Sequence, residues 1–181
     1  MNGTGGLVYE DLEPLYDEGV IQEKVADLAG RISRDYLGKE IIVLCVLKAA
    51  AIFAADLARS LTIHSRLAFV NAASYGTATT SSGDVAISRA IDIDIMDKHV
   101  LIVDTIVDSG RTLAYLQKHY RKRRPASIRT AVLLDKRTRR TIDVQLDYVG
   151  FEIPDRFVVG YGMDFAEKYR NLPYIAALSA D

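Results

Sequence analysis

Short apolar runs alternate with amphipathic segments along the chain, and this alternation restricts the fold more than any other feature. Three of the runs cover residues 41–47, 99–105 and 128–134. Each has the length and the β-branched content of a strand that is buried on both faces. Helical patterns follow the first two runs, at residues 49–61 and 111–123. The alternation predicts an α/β fold in which a central, mostly parallel sheet carries helices on both faces.

The remaining segments extend this fold. An amphipathic helix is predicted at residues 20–37 and a further strand at 67–73. Late in the chain the pattern changes to short strands, at 148–153, 157–161 and 174–178. We interpret them as a small hood over the sheet, built from the chain ends. The 181 residues, 49% of them hydrophobic, suit one domain spanning residues 1–181, with residues 1–8 as a loose N-terminal arm.

Charge and cysteine content exclude several classes of protein. The chain has 23 Lys and Arg against 24 Asp and Glu, so a global basic field for nucleic acid is absent. Its single cysteine, Cys45, excludes an internal disulfide, and its apolar neighbours favour a small buried hydrophobe over a reactive thiol. No apolar stretch reaches the length of a membrane span, and the Gly-rich start is unlike a signal peptide. We expect a cytoplasmic protein without a membrane partner.

One long segment, SYGTATTSSGD at residues 74–84, is almost entirely small and hydroxylated. Such a segment buries little apolar surface, and one interpretation is an ordinary surface loop. Its length favours a lid, since long loops without secondary structure of their own often cover a functional site. The sequence therefore predicts a flexible lid over residues 74–86.

Polar residues follow three of the predicted strands at the point where each strand ends. They are Lys48, the segment 104–112 and the pair Asp135-Lys136. In an open parallel sheet, ligands bind beyond the carboxyl ends of the strands. We therefore expect the functional site at this edge of the sheet.

The segment 104–112, DTIVDSGRT, joins a strand to a helix and can bind a phosphate. Free backbone N–H groups at a helix start attract an anion, Gly110 permits close approach, and Ser109 and Thr112 add hydroxyl donors. Taken alone, the segment is equally compatible with a helix capped by Asp108 or Ser109.

Six segments, in order along the chain, resemble motifs of the type I phosphoribosyltransferases. They read VLKAA at 46–50, SYG at 74–76, DTIVDSGRT at 104–112, LDK at 134–136, FVVGYGMD at 157–164 and RNLP at 170–173. Within that family the chain resembles the hypoxanthine/guanine phosphoribosyltransferases of purine salvage. The resemblance implies the type I phosphoribosyltransferase fold. It also implies transfer of a 5-phosphoribosyl group from phosphoribosyl pyrophosphate (PRPP) to hypoxanthine or guanine, giving IMP or GMP and pyrophosphate.

The resemblance also implies roles for individual residues. The PRPP loop would comprise Asp104, Thr105, Ile106, Val107, Asp108, Ser109, Gly110, Arg111 and Thr112. Leu47, Lys48 and Arg170 would bind pyrophosphate, and Ser74 and Tyr75 would close as a lid. The purine would be bound by Lys136, Phe157, Val158 and Asp164.

The chemistry implied for these residues is specific. Lys136 would donate to the 6-oxo group, Phe157 would stack on the ring, and the carbonyl of Val158 would accept from the base. Asp108 would act as general base for the proton on purine N7. Asp104 and Asp164 would contact Mg²⁺, the implied cofactor. The implied assembly is a homodimer or homotetramer.

Each of these residues also has an ordinary interpretation. Taken singly, Lys136 would begin a solvated basic turn, Phe157 would belong to the core, and Asp164 would cap a helix. Their order along the chain and their positions at the ends of neighbouring strands favour the site.

The match to the family has departures, and they leave a second hypothesis open. Asp104-Thr105 replaces the usual Glu-Asp, so that Thr105 could contact ribose only through its hydroxyl; Ala49 replaces a glycine, and Arg111 replaces a common lysine. The chain could thus be a regulatory PRPP-binding relative with weak catalysis, binding RNA through the basic run 118–124. That run is better explained as an exposed helix end, and nucleic acid is not the expected partner. A hydrolase is disfavoured because no nucleophile elbow is present.

Overall fold

The computed structural model describes residues 12–74, 85–90 and 93–178, with no side chains described between 73 and 92. Its elements, in chain order, are β1 (Leu12–Tyr16), α1 (Glu18–Asp35), β2 (Ile41–Leu47), α2 (Ala51–Ser60), β3 (Ser65–Ser74), β4 (Val85–Ala90), β5 (His99–Val107), α3 (Arg111–Arg121), β6 (Ser127–Asp135), a 3₁₀ turn (Arg137–Arg139), β7 (Tyr148–Glu152), β8 (Val158–Val159) and β9 (Ile175–Leu178).

Six strands form the main sheet, in the order β4-β3-β2-β5-β6-β7. The five strands from β3 to β7 in this order are parallel, and β4 runs antiparallel at the edge. The central strand β2 is apolar throughout because it is buried on both faces. The predicted α/β fold with a mostly parallel sheet is confirmed.

Helices cover both faces of this sheet, as the sequence predicts. On one face, α1 and α2 bury side chains such as Leu28 and Phe53 against Val43 of β2. On the other face, α3 buries Leu113 and Leu116. Cys45 is fully buried, and burial raises the pKa of its thiol to about 12, which confirms the prediction of an inert buried cysteine.

A second sheet of three strands, β1-β9-β8, is built from the two chain ends. Leu12 pairs with Leu178, and Val158 pairs with Ala177. This is the predicted hood. One strand assigned to it from the sequence was placed wrongly: β7 extends the main sheet beside β6, with Tyr148 opposite Ala131. Tyr148 is buried there, so β7 buries more apolar surface as an edge strand of the main sheet than it would in a hood over it.

Several predicted boundaries differ from the structure. Helix α1 begins earlier because the Asp17 side chain accepts from the N–H of Val20 at 2.9 Å and caps it. Strands β1 and β4 lack long apolar runs and were missed. Because β3 extends to Ser74 and β4 begins at Val85, the loop prediction for 74–86 is wrong at both ends.

Two predictions concern segments outside the described residues. The N-terminal arm at residues 1–8 lies there, as do Tyr75 and residues 76–84 of the lid. The backbone of Ser74 is described as the last residue of β3, whereas its side chain is not. In the portion of the chain that the structure covers, none of the helices has the length and apolarity to cross a bilayer.

Candidate active site

The candidate site lies where β2, β5 and β6 end, because these neighbouring parallel strands deliver Lys48, the segment 104–112 and Lys136 to the same edge of the sheet. The loop that joins β8 to β9, residues 160–174, is here called the hood loop. The hood loop packs directly on the segment that follows β2. A Cβ at Gly162 would lie 2.2 Å from the carbonyl oxygen of Ala49, so only glycine permits this approach.

The segment 104–112 forms a tight turn that leads into α3. Gly110 is the residue preceding the helix, with φ of 81°, and a Cβ there would lie 2.9 Å from the carbonyl oxygen of Ile142. Gly110 occupies the N-cap position of α3 and makes no side-chain hydrogen bond, so neither Asp108 nor Ser109 is the N-cap residue; the Ser109 hydroxyl accepts a long hydrogen bond of 3.4 Å from the N–H of Arg111. The N–H groups of α3 that follow Arg111 have no side-chain cap and are suited to bind an anion.

Lys136 and Asp108 form an ion pair at this turn. Lys136 Nζ lies 3.1 Å from Asp108 Oδ1, with 5% of the Lys136 side chain exposed and 50% of that of Asp108. The backbone N–H of Lys136 also donates to the carbonyl of Val107 at 3.0 Å. A buried ammonium requires an anionic or polar partner, and Asp108 supplies it. The interpretation of Lys136 as part of a solvated turn is therefore wrong.

The loop after Lys136 is held by its own ion pair. Asp135, which is buried, accepts two hydrogen bonds from the guanidinium of Arg140, one of them from Nε at 3.1 Å. This bidentate pair closes the 3₁₀ turn that follows Lys136. It orients the backbone from which Lys136 reaches Asp108.

Asp104 lies in β5, four residues before Asp108, and is more deeply buried than Asp108. Its carboxylate accepts a hydrogen bond from the N–H of Thr105 at 2.8 Å. Burial raises the pKa of Asp104 to about 7, and the charge of Asp108 adds to this, while hydrogen bonds from the N–H groups of Thr105 and Ile106 oppose it. Burial therefore opposes the ionised form of the Asp104 carboxyl, and an adjacent cation would favour it.

Thr105 does not face the site as the sequence led us to expect. Its side chain is fully buried, and its hydroxyl has no hydrogen-bond partner among the described residues. Successive side chains of a strand point to opposite faces, so the neighbour of Asp104 is turned into the core. The expected contact of the Thr105 hydroxyl with ribose is not available in this structure.

The hood supplies a second group of predicted residues. Phe157 is 52% exposed and meets Phe165 edge to face at 5.6 Å between ring centroids, so its interpretation as a core residue is wrong. Val158 is buried and pairs with β9. Asp164 lies in the hood loop and caps no helix; its Oδ1 lies 2.8 Å from Nη2 of Arg170.

Lys48 and Arg170 meet through a residue that sequence reasoning missed. Lys48 follows a cis peptide bond from Leu47, and its Nζ lies 3.1 Å from Oε2 of Glu167. Oε1 of the same carboxylate lies 3.3 Å from Nη2 of Arg170. Glu167 is an exposed glutamate in an irregular turn, which no strand-end pattern singles out. Its spacing of three residues from both Asp164 and Arg170 was the signal that could have identified it.

Comparison with known proteins agrees with this geometry. The model of the phosphoribosyl transferase domain family matches residues 12–166. The chain belongs to the phosphoribosyltransferase family.

Among curated phosphoribosyltransferases, the hypoxanthine-guanine phosphoribosyltransferase of Bacillus subtilis (strain 168) is 42% identical over 173 residues, which cover 95% of this chain and 96% of that protein. A crystal structure of a hypoxanthine phosphoribosyltransferase from Staphylococcus aureus superimposes with a TM-score of 0.92 at 38% identity, covering 97% of this chain and 96% of that one. A hypoxanthine-guanine phosphoribosyltransferase from Bacillus anthracis gives a TM-score of 0.88 at 44% identity, covering 94% and 99%. The alternative of a regulatory relative is not supported, since these relatives are named as enzymes.

The donor set of this phosphoribosyltransferase fits Mg²⁺ held mainly by substrate. Among the described residues no group of three or more His, Cys, Asp or Glu side chains could form a metal cage. Asp104 and Asp164 are separate carboxylates at the site. Mg²⁺ commonly binds through one or two carboxylates together with substrate phosphates, and these two residues suit that mode.

Proposed function

We propose that the chain is a hypoxanthine-guanine phosphoribosyltransferase of purine salvage, which transfers the 5-phosphoribosyl group of PRPP to a 6-oxopurine. The observation that carries the proposal is the Lys136–Asp108 ion pair of 3.1 Å beside the open start of α3. It brings a donor for a purine oxo group and a base for a purine proton next to a turn suited to phosphate. An enzyme that used a cysteine or histidine nucleophile would need neither this ion pair nor the phosphate-binding turn.

The 5′-phosphate of PRPP binds the turn that starts α3. The N–H groups of the first helical residues donate to the phosphate oxygens, and Ser109 and Thr112 add hydroxyl donors. Asp104 lies earlier in the same segment and faces the ribose hydroxyls. Residue 105 is a threonine whose hydroxyl is buried, so Asp104 makes this contact without help from its neighbour.

The purine binds between Phe157 and Lys136. The exposed ring of Phe157 stacks on the base, and the carbonyl of Val158 accepts from it. The ammonium of Lys136 donates to the 6-oxo group, which selects hypoxanthine and guanine over adenine, whose 6-amino group is a donor. As Lys136 turns towards the base, the carboxylate of Asp108 becomes free to take the proton from N7.

The reaction exchanges one bond at C1′ of ribose and moves one proton. The bond from C1′ of ribose to a purine ring nitrogen forms, the bond from C1′ to pyrophosphate oxygen breaks with its electron pair leaving on pyrophosphate, and the N7 proton passes to Asp108. Lys48 and Arg170 stabilise the departing charge. Asp104 and Asp164 would hold Mg²⁺, which would neutralise further charge on the departing pyrophosphate.

We also propose where the enzyme acts and in what assembly. The enzyme acts in the cytoplasm as a single domain in a homodimer or homotetramer. Ser74 and Tyr75 close over the substrates and keep water from the oxocarbenium-like centre.

Turnover with PRPP, MgCl₂ and each purine base in turn tests this function. Hypoxanthine and guanine should be converted, with one pyrophosphate released per nucleotide, and adenine should not. Lys136→Gln should raise KM for the base more than KM for PRPP. Efficient formation of AMP from adenine would contradict the proposed role of Lys136, and turnover of no base would contradict the function itself.

A further inference from the structure

The carboxylate of Glu167 occupies a position between the two cations assigned to pyrophosphate. Its Oε2 lies 3.1 Å from Nζ of Lys48, and its Oε1 lies 3.3 Å from Nη2 of Arg170. The hydrogen bond from Lys48 and the charge of Lys48 lower the pKa of Glu167, with a smaller contribution from Arg170. Each oxygen of one anionic group thus contacts a different cation, which is how a pyrophosphate would bridge them.

The charges at this position balance without any ligand. Lys48 and Arg170 contribute two positive charges, and Glu167 and Asp164 contribute two negative ones. An arriving pyrophosphate therefore meets cations that are already paired, and one carboxylate must give way. Asp164 is held at both oxygens, by Arg170 at 2.8 Å and by the N–H of Glu167 at 2.9 Å. The side chain of Glu167 is 66% exposed and is the easier one to displace.

The turn that carries Glu167 does not depend on its carboxylate. Phe165 and Lys168 exchange two backbone hydrogen bonds, of 3.2 and 3.0 Å, across this turn. The backbone N–H of Glu167 adds the bond to Asp164. The side chain can therefore leave the cations while the loop keeps its shape.

We propose that Glu167 is an internal competitor of pyrophosphate, which holds Lys48 and Arg170 when the subsite is empty and returns to them as the product leaves. The inference rests on the proposed function, since it takes Lys48 and Arg170 as pyrophosphate ligands. It adds a residue that weakens binding of PRPP and pyrophosphate, and so favours product release. Without it, two unpaired cations would retain the highly charged product for longer.

Calorimetric titration with inorganic pyrophosphate at a fixed MgCl₂ concentration tests the proposal. An exposed ion pair is worth a factor of up to about 5 in an equilibrium constant. Releasing both contacts in Glu167→Gln should therefore tighten pyrophosphate binding about 3- to 10-fold. The gain should shrink as salt is raised, because exposed charges are screened. Steady-state kinetics should show a matching fall in KM for PRPP and stronger product inhibition by pyrophosphate.

Glu152→Gln is the matched control. Glu152 is similarly exposed and pairs with Arg137 at 3.4 Å, so this variant removes the same charge from a pair that does not involve Lys48 or Arg170. Its pyrophosphate affinity should equal that of the unaltered protein. An equal gain in both variants would mean that net charge alone is responsible and would overturn the proposal.

Lys48→Gln separates failure of this inference from failure of the proposed function. If Lys48→Gln weakens pyrophosphate binding while Glu167→Gln leaves it unchanged or weaker, Glu167 is no competitor and only this inference fails. If Lys48→Gln has no effect, the pyrophosphate subsite itself is assigned wrongly. In the double variant the gain from Glu167→Gln should be smaller than in the single one, since one of the two competed contacts is gone.

Discussion

At the scale of single residues, the site depends on pairs of charges in unequal environments. Lys136 is almost fully buried and Asp108 is half exposed, so the pair can open towards a ligand on the side of Asp108. Thr105, by contrast, is a buried polar side chain whose hydroxyl has no hydrogen-bond partner among the described residues.

Asp108→Asn should abolish the general base while keeping the shape of the side chain. We expect kcat to fall by about 10²–10⁴, the range typical of a lost general base. KM for PRPP should change little, because the N–H groups of α3 hold the phosphate. The measurement is steady-state kinetics with hypoxanthine. Asp27→Asn, which removes an exposed carboxylate paired with Arg31 on α1, should leave kcat unchanged.

Thr105→Val should stabilise the protein without affecting catalysis. Valine has nearly the shape of threonine and lacks the buried unpartnered hydroxyl, whose desolvation opposes folding. We expect the free energy of unfolding to rise by about 0.5–2 kcal/mol in urea titrations. KM for PRPP should be unchanged. A marked rise in KM would show that the hydroxyl does reach ribose in the bound enzyme.

At the scale of elements, the hood loop is attached to α2 and to the end of β2. The carboxylate of Asp56 on α2 accepts hydrogen bonds from the hydroxyl of Tyr161 at 2.6 Å and from Gln22 of α1 at 3.3 Å. Gly162, the next residue of the loop, lies against the backbone of Ala49. These contacts hold Asp164 and Arg170 beside Lys48.

Gly162→Ala tests the backbone contact. The new methyl group would lie 2.2 Å from the carbonyl oxygen of Ala49, so one of the two segments must move. We expect a loss of more than about 2 kcal/mol in the free energy of unfolding, together with a raised KM for PRPP. Gly38→Ala is the matched control: Gly38 also has positive φ, but nothing lies within 4 Å of a Cβ there. Its cost should be about 1–2 kcal/mol, from backbone strain alone, with kinetics unchanged.

The hydrogen bonds of Asp56 should make the free energy of unfolding depend on pH in the acidic range. Burial tends to raise the pKa of Asp56, but hydrogen bonds from Tyr161, Arg59 and Gln22 outweigh it, and the net pKa is lowered. A carboxyl with a lowered pKa stabilises the folded state above its unfolded pKa of about 4, and this stabilisation is lost as the pH falls through the folded value.

Asp56→Asn measures that contribution. We expect the variant to be less stable by about 1.5–3 kcal/mol at pH 6–7, the value of hydrogen bonds to a charged group. The difference from the unaltered protein should begin to narrow below about pH 4, where Asp56 of the unfolded chain becomes protonated, and should disappear as the pH falls through the lower folded pKa. Urea titrations from pH 3 to 7 provide the measurement. A difference that stays constant over this range would show that the charge of Asp56 is unimportant.

At the scale of the whole molecule, the charge distribution favours small anionic ligands over nucleic acid. Lys48, Lys136 and Arg170 are each paired with a carboxylate, and the net charge of the chain is −1. The basic run 118–124 lies at the end of α3, where cations are favourable to the helix dipole.

We therefore expect no retention of the protein on an RNA column at about 0.15 M salt, where binding requires many simultaneous phosphate contacts. Elution should not shift when Arg121 and Arg123 are both changed to Gln. Retention that is lost in this double variant would instead support an RNA-binding surface on α3.

The sequence by itself determined the layered α/β fold, the order of the motifs and the edge of the sheet at which they meet. Continuous apolar runs such as 41–47 indicate strands that are buried on both faces. Parallel strands bring their carboxyl ends to the same edge of the sheet, whichever face each helix covers. The family resemblance supplied the roles proposed for Asp108, Lys136 and Arg170. Strands without long apolar runs, β1 and β4, were missed because their residues acquire partners only in the folded sheet.

Only the tertiary structure decided which side chains meet and which are turned away. Thr105 is buried because its strand presents alternate residues to opposite faces, and that phase depends on how β5 lies between its neighbours. Glu167 reaches Lys48 across 119 positions of chain. Pattern analysis detects regular periodicity over short windows, whereas contacts of this kind depend on the path of irregular loops. The charge balance of the pyrophosphate subsite therefore became visible only in the folded protein.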